Sequence, residues 1–95
     1  PIQVKILTIT DEQKDYAQEI FDKLKSEDLR VELDSSSDPI SAKIKIAQLE
    51  RVPWMVVVGN KEKESKTITL RHLDGKQKFG LTVEDIVENS KKFNL

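Results

Sequence analysis

A short apolar run in the second half of the chain does most to restrict how this sequence can fold. Residues 54–58 read Trp-Met-Val-Val-Val, with Pro53 before the run and Gly59 after it. A short, valine-rich run between two such residues predicts a strand that is buried on both faces. Strands of this kind occupy the centre of parallel sheets covered by helices, so the run predicts an α/β domain.

The rest of the chain alternates between strand patterns and helix patterns. Apolar residues recur at every second position in three further segments, which are predicted strands: 2–9, 29–33 and 67–73. They recur at every third or fourth position in three others, which are predicted helices: 16–24, 40–49 and 83–93. Asp74-Gly75 predicts a hairpin turn, which leads into a fifth strand around Gln77–Leu81.

Polar signals complete the expected fold. Thr10, with Gln13 three residues later, predicts a capping box for the first helix, and Thr82 predicts the cap of the last. The apolar stripe of that last helix is Val83, Ile86, Val87 and Phe93. The charged residues 60–66 have no apolar period and are predicted to form a loop. The expected fold is α/β: a five-stranded mixed sheet (three parallel strands plus an antiparallel hairpin) flanked by three helices, in the order β-α-β-α-β-β-β-α.

Length and composition indicate a single small domain. The chain has 95 residues, of which 37% are hydrophobic and 35% charged, and this suits one modest core. It has no cysteine, a composition typical of the reducing cytoplasm. No apolar run approaches the ~20 residues that cross a membrane. We therefore expect one domain over residues 1–95 with no membrane partner, and Pro1 at its start indicates a fragment of a longer protein.

Side chains that could carry out catalysis are scarce. His72 is the single histidine, and its place in a predicted strand favours a partly exposed strand residue over a catalytic or metal-binding one. Gly59, Gly75 and Gly80 are too far apart to form a phosphate-binding loop. Trp54, at the start of the buried run, is expected to pack in the core. The sequence therefore favours a domain that binds a partner and has no catalytic residue, metal or cofactor of its own.

Charge is divided unevenly along the chain. Residues 1–40 carry 5 Lys/Arg and 10 Asp/Glu, whereas residues 41–78 carry 9 and 4, and the net charge of the whole chain is −1. The positive segment indicates an anionic partner, with a solvated surface of mixed sign as the alternative. Ligands of α/β sheets gather at the carboxyl ends of the parallel strands. The polar side chains expected near those ends are Ser37, Lys45, Glu62 and Arg71, a mixture of donors and acceptors that suits the edges of bases.

Two groups of motifs are specific enough to indicate a family. One stretch runs from Lys43-Ile44-Lys45 through Val52-Pro53-Trp54-Met55 to Gly59-Asn60-Lys61-Glu62. The other contains Thr69-Leu70-Arg71 and Asp74-Gly75-Lys76. Over nearly the whole chain, the sequence resembles the C-terminal anticodon-binding domains of threonyl-tRNA synthetases, within the class II anticodon-binding fold. The resemblance implies a domain that docks on the anticodon loop of a tRNA and reads its bases.

The resemblance also implies which residues meet the tRNA. The family's anticodon-reading glutamate falls on Glu62, its strand arginine on Arg71, and a supporting arginine on Arg51. Lys45 stands where the family has an arginine; lysine keeps the charge but lacks the planar pair of donors. Ser37 stands where the family has an asparagine that can hydrogen-bond a base.

For the parent protein, the resemblance implies an aminoacyl-tRNA ligase that joins threonine to tRNA. ATP, magnesium and zinc are then expected in a separate catalytic domain of the same chain, and the parent is expected to be a cytoplasmic homodimer. The changes at Ser37 and Lys45 favour an alternative, a synthetase-like accessory or protein-interaction domain that keeps the fold but not RNA reading. A small-molecule-binding α/β domain is a third reading, which the missing phosphate loop disfavours.

Overall fold

Five strands form a single sheet in a computed structural model that describes residues 2–93, with side chains described for residues 2–88. The strands are β1 Val4–Thr8, β2 Val31–Asp34, β3 Trp54–Val58, β4 Ile68–His72 and β5 Gln77–Leu81. The helices are α1 Lys14–Ser26, α2 Ile40–Leu49, α3 Asn60–Ser65 and α4 Val83–Phe93. Pro1 and the side chain of Phe93, which the sequence assigns to the stripe of the last helix, lie outside the described part.

The sheet is mixed, with strand order β2-β1-β3-β4-β5. β1 is parallel to β2 and to β3, whereas β4 is antiparallel to β3 and to β5. The apolar run that predicts a buried strand forms β3 at the centre, where Met55, Val56 and Val58 are 0% exposed. β2, whose sequence alternates apolar and charged residues, is an edge strand.

The predicted number of helices and the predicted order of elements are wrong. Within residues 2–93 the structure has four α-helices rather than three, in the order β-α-β-α-β-α-β-β-α. The additional helix is α3, which occupies most of the predicted charged loop. None of its residues is buried, so no apolar stripe could reveal it. Glu62 caps its first turn by accepting a hydrogen bond from Gly59 N–H at 2.8 Å, and Lys66 ends it in the left-handed conformation, with φ of 58°.

Apolar side chains pack on both faces of the sheet. The larger core lies on the face covered by α1 and α4, and its buried members include Val4, Ile6, Ile20, Leu24, Val56 and Ile86. Trp54 is partly buried and packs against this core. The smaller core lies on the opposite face, between the sheet and α2, and is formed by Leu7, Ala47, Val52 and Met55. We call this second face the α2 face.

The predicted helix caps are present. Gln13 Oε1 accepts a hydrogen bond from Thr10 N at 2.7 Å, and Thr10 Oγ1 accepts one from Glu12 N at 3.3 Å. This capping box begins a 3₁₀ turn, Asp11–Gln13, that leads directly into α1. At the start of α4, Thr82 N donates to Asp85 Oδ2 at 2.9 Å, and Asp85 N donates to Thr82 Oγ1 at 3.3 Å. Both caps satisfy backbone donors that have no partner within the helix.

Candidate functional site

The α2 face is covered on one half and open on the other. Met55 and Arg71 are register partners, as are Arg71 and Gln77, so their side chains lie on one face. Over β1 and β3 this face is covered by α2, and Leu7 and Met55 are 0% exposed. Toward β5 it opens to solvent, where Gln77 is exposed and Phe79 is 72% exposed. A ligand can therefore reach the sheet directly at β5, whereas Thr69 on the neighbouring strand β4 is buried.

Arg71 lies on β4 at the border of this open region. Its neighbours in the sheet are Met55 and Gln77, and its side chain is partly buried. Among the described residues, Arg71 Nε and Trp54 Nε1 are the two buried side-chain nitrogen atoms without a hydrogen-bond partner. A buried donor left unsatisfied costs about 1–3 kcal/mol, and more when the group is charged. Arg71 thus lies beside an open surface with one guanidinium donor, the buried Nε, unsatisfied.

Glu62 lies beyond the carboxyl end of β3, in the first turn of α3. Its Oε1 accepts from Gly59 N at 2.8 Å, and a Cβ added at Gly59 would lie 3.1 Å from this oxygen and 2.8 Å from Ile9 Cδ1. Val58 points into the larger core, so the next residue, Gly59, faces the other side of the sheet. The Glu62 carboxylate therefore lies at the carboxyl end of β3, close to Gly59. Burial raises the pKa of Tyr16 in the larger core, and the charges of nearby carboxylates, Glu62 among them, raise it further.

Glu62 and Arg71 lie toward opposite ends of β3. Arg71 is opposite Met55, near the start of β3, whereas Glu62 follows the end of the strand. The four-residue rise from Met55 to Gly59 corresponds to about 13 Å. The sequence places both groups near the carboxyl ends of the strands, but in the structure only Glu62 lies there. A ligand that contacts both must span this distance, and it cannot lie on β3 itself, because α2 covers that strand on the α2 face.

The other three predicted site residues are exposed and lie apart from each other. Lys45 projects from the outer side of α2, because Lys43 and Ala47 on either side of it face the sheet. Ser37 lies in the loop that follows the edge strand β2. Arg51 follows α2 at the amino end of β3, with φ of 59°, and lines a separate surface cavity there. Of the five predicted site residues, only Arg71 lies on a strand beside the open part of the sheet.

A buried lysine fixes α2 in its place over half of the α2 face. Lys43 is 0% exposed, and its Nζ donates to Thr8 O at 2.8 Å and to Thr8 Oγ1 at 3.1 Å. It thereby ties α2 to the carboxyl end of β1. From the sequence, Lys43 is named only within a family motif, although its spacing of three from Ile40 and four from Ala47 puts it inside the apolar stripe.

The charge of Lys43 also acts on a neighbouring carboxylate at the end of β2. Burial would raise the pKa of Asp34, but this effect is outweighed by hydrogen bonds from Ser36 and by the charges of Lys43 and Lys5. The net result is that the pKa of Asp34 lies below its ordinary value. Because this pKa is lowered, the ionised Asp34 stabilises the fold at pH values above its pKa in the unfolded chain. This contribution is lost as the pH falls through the folded-state pKa.

A second buried polar residue, Gln13, positions α3. It is 0% exposed, and its Nε2 donates to Asn60 Oδ1 at 2.6 Å and to Thr10 Oγ1 at 2.8 Å. Asn60 is the first residue of α3, so this contact ties the helix that carries Glu62 to the loop after β1. The sequence predicts Gln13 as a cap residue but does not indicate this second partner, which is 47 residues away.

The described part of the chain contains neither a candidate metal site nor a candidate membrane-spanning helix. Within it, no group of three or more His, Cys, Asp or Glu side chains is placed to hold a metal ion. No helix there is both long enough and apolar enough to cross a membrane.

Comparison with known families shows which family this fold belongs to. Residues 3–92 match the family described as "Anticodon binding domain". The chain belongs to this family. The resemblance stated from the sequence motifs is therefore confirmed at the level of the family.

Curated relatives of this anticodon-binding domain carry the name threonine–tRNA ligase. The protein of Bdellovibrio bacteriovorus is 41% identical over 87 residues, which are 92% of this chain and 13% of that protein. The protein of Citrifermentans bemidjiense is 44% identical over 87 residues, which are 92% of this chain and 14% of that protein. The chain thus spans about one seventh of the length of the curated relatives that it matches.

Solved structures share the same fold over nearly the whole chain. The RNA-binding domain of threonyl-tRNA synthetase from Cryptosporidium parvum superposes with a TM-score of 0.93 at 29% identity, covering 97% of this chain and 23% of that chain. Histidyl-tRNA synthetase from Nostoc superposes with a TM-score of 0.90 at 20% identity, covering 100% of this chain and 23% of that chain. The second likeness shows the fold alone.

The close approach at Gly59 leads to a prediction about the position of Glu62. In the Gly59→Ala variant, the new Cβ would press on Glu62 Oε1, so the carboxylate must shift and its hydrogen bond to the backbone weakens. Ile9 is 44% exposed and its side chain can rotate away. We expect the variant to lose about 1 kcal/mol of stability and to show faster amide exchange in the first turn of α3.

The control for this prediction is the same substitution in a Glu62→Ala background. There the oxygen that the Cβ meets is gone, so Gly59→Ala is expected to cost clearly less. Chemical denaturation of the four proteins gives the coupling between the two positions. Equal costs in both backgrounds would show that Gly59 does not set the position of the Glu62 carboxylate.

Proposed function

We propose that this chain is the anticodon-binding domain of a threonyl-tRNA synthetase and that its α2 face binds the anticodon loop of threonine tRNA. The observation that carries the proposal is the identity of 41–44% with threonine–tRNA ligases over 92% of the chain. Family membership alone leaves the choice of tRNA open, because synthetases for other amino acids share the fold. The geometry of the α2 face supports the proposal independently.

Arg71 and Glu62 supply complementary hydrogen-bonding groups for bases. The guanidinium of Arg71 carries five N–H donors, and its Nε has no acceptor among the described residues. The Glu62 carboxylate is an acceptor for the exocyclic amino groups of bases. The rise of about 13 Å between Met55, the neighbour of Arg71, and Gly59, the neighbour of Glu62, is long enough for successive unstacked nucleotides, because single-stranded RNA is read with its bases splayed out.

The remaining site residues are proposed as outer contacts. Arg51 and Lys45 are exposed cations, which suit phosphate oxygens, and such contacts position the RNA without reading its sequence. Ser37 is an exposed hydroxyl at the carboxyl end of the edge strand and suits a sugar or base contact at the end of the loop.

The whole protein is proposed to be larger than this chain. A separate catalytic domain of the same polypeptide joins threonine to tRNA at the expense of ATP, and magnesium and zinc belong to that domain. The parent is proposed to be a cytoplasmic homodimer. In this arrangement the anticodon-binding domain contributes affinity and tRNA choice, and it takes no part in the chemical step.

Binding of threonine tRNA by the 95-residue chain tests the proposal. We expect Arg71→Ala to weaken binding about tenfold, because each well-placed contact to a base contributes about 1–3 kcal/mol. Glu62→Gln is expected to reduce the preference for threonine tRNA over the same transcript with a replaced anticodon. Fluorescence anisotropy at several salt concentrations separates these effects from phosphate contacts, whose contribution falls as salt rises.

Arg30→Ala is the matched control, since Arg30 is an exposed arginine just before β2. Its affinity is expected to stay within about twofold of the wild type, as for a cation outside the RNA contact surface. Equal affinity of wild type, Arg71→Ala and Glu62→Gln for threonine tRNA contradicts the proposal. Absence of any binding by the wild type favours the alternative of a protein-interaction domain that kept the fold.

A further inference from the structure

We propose that Phe79 is an additional RNA contact, a stacking platform for one unpaired base of the anticodon loop. The inference rests on the proposed function, because it takes threonine tRNA as the ligand. Phe79 is one of four large apolar side chains that are clearly exposed in the described part of the chain, and the sole aromatic among them. The sequence motifs that indicate the family do not include it.

The register of the β4–β5 pair places Phe79 beside Arg71. Arg71 is opposite Gln77, and Leu70 is opposite Lys78, so Phe79 comes next along β5, where the register begins to shift. Residues at every second position share a face, and Phe79 therefore lies on the α2 face, diagonal to Arg71. Diagonal neighbours across an antiparallel pair are about 7–8 Å apart, a distance that one nucleotide spans.

A local irregularity in β5 directly follows this side chain. Between the pairs Leu70–Lys78 and Ile68–Leu81, β5 has one residue more than β4, and Gly80 adopts a φ of +71°. The left-handed conformation favours glycine, since a Cβ there is strained. Bulges of this kind re-aim side chains and are frequent beside functional sites. Here the bulge follows Phe79, whose ring remains 72% exposed.

The combination of groups suits a base better than an apolar partner. A single exposed phenylalanine needs no functional explanation, but this one adjoins Arg71, whose buried Nε lacks an acceptor. An apolar protein surface would cover Phe79 and leave that donor unsatisfied. An unstacked base offers a π face to Phe79 and acceptor atoms at its edge to Arg71. The local excess of positive charge over residues 41–78 favours the same anionic partner.

Three substitutions at Phe79 separate stacking from simple apolar contact. With threonine tRNA as the probe, we expect Phe79→Ala to bind about tenfold more weakly, in the range found for loss of one base–aromatic stack. Phe79→Leu keeps an apolar side chain without a π face and is expected to be nearly as weak. Phe79→Tyr keeps the ring and is expected to bind like the wild type. Because the side chain is exposed, all three variants should melt close to the wild type.

Leu49→Ala is the matched control, since Leu49 is 74% exposed but lies on the outer side of α2; its affinity should not change. A second readout uses an anticodon stem-loop with 2-aminopurine at each unpaired position in turn. Binding should change the fluorescence of one position with the wild type and Phe79→Tyr, but not with Phe79→Ala.

The outcomes distinguish this inference from the proposed function. If Arg71→Ala weakens binding and Phe79→Ala does not, the stacking inference is overturned and the proposed function stands. If Phe79→Leu binds like the wild type, the contact is apolar and the stacking inference is again overturned. If the wild type does not bind threonine tRNA, the proposed function fails and this inference fails with it.

Discussion

Replacing Ile6 with alanine is expected to lower the free energy of unfolding by about 4 kcal/mol. Ile6 is 0% exposed in the larger core, and in the sheet it stands between Leu33 of β2 and Val56 of β3. Three carbon atoms are removed at a position where neighbours on both sides are fixed by backbone hydrogen bonds. The site cannot collapse around the loss, so a cavity adds to the lost transfer free energy.

Ile46→Ala is the matched control for Ile6→Ala. Ile46 is 40% exposed on α2, and alanine is the better helix former, so we expect a change below about 0.5 kcal/mol. Urea denaturation of the wild type, Ile6→Ala and Ile46→Ala measures the change in the free energy of unfolding. The change expected for Ile6→Ala corresponds to a fall in melting temperature of roughly 20 °C. Similar costs at the two positions would show that β1 is not the centre of the core.

The strands could be predicted from the sequence because burial of one or both faces determines which positions are apolar. Residues 54–58 have no polar residue because β3 is covered on both faces, by the larger core on one side and by α2 on the other. The hairpin could be predicted because Gly75 adopts a φ of +98°, a conformation that favours glycine. Both signals are local, and each is readable without knowledge of the partner elements.

α3 could not be predicted by the same reasoning, because it buries no residue and has no apolar stripe. Its one signal is the spacing of Gly59 and Glu62. Gly59 has no side chain to complete a capping box, so only the return bond from Gly59 N–H to Glu62 forms. That bond is evident in the structure, but the spacing of Gly59 and Glu62 alone is a weak signal for a helix start in a sequence.

The composition of the site was partly predictable, but its layout was not. Motif positions indicate Glu62 and Arg71, while their separation along β3 depends on the antiparallel register of β4, which pairs Arg71 with Met55. Phe79 gave no signal at all, because a lone phenylalanine in a predicted strand is ordinarily a core residue. Its exposure follows from which half of the sheet α2 covers, and this is a property of the assembled fold.

The position of α2 depends on Lys43, and its replacement is the second substitution with a large expected effect. In Lys43→Met, the apolar stem is retained, but Thr8 O and Thr8 Oγ1 lose the donor that now lies 2.8 and 3.1 Å away. We expect a loss of about 2 kcal/mol, the usual cost of a buried acceptor left unpaired. Lys43→Ala also removes the stem from a site that is 0% exposed, and about 4 kcal/mol is expected.

Asp34 provides a readout that a change in packing alone would not alter. Lys43 is among the charges that hold the pKa of Asp34 below its ordinary value, so we expect this pKa to rise in Lys43→Met when it is followed by NMR. The acid dependence of stability from Asp34 should shrink accordingly, since it arises from the lowered folded-state pKa. Lys45→Met, on the outer side of α2, is the control and should change neither quantity.

A buried charge is not stabilising by default, and the Lys43→Met result decides the matter here. Replacing buried ionic groups with apolar ones of similar volume is often neutral or stabilising. If Lys43→Met is as stable as the wild type, the ammonium does not stabilise the fold, and apolar contacts alone hold α2. If it is less stable and Asp34 titrates higher, the bond from α2 to the end of β1 fixes which half of the sheet is covered. In that case, one buried lysine determines that the half of the sheet beside Arg71 remains open.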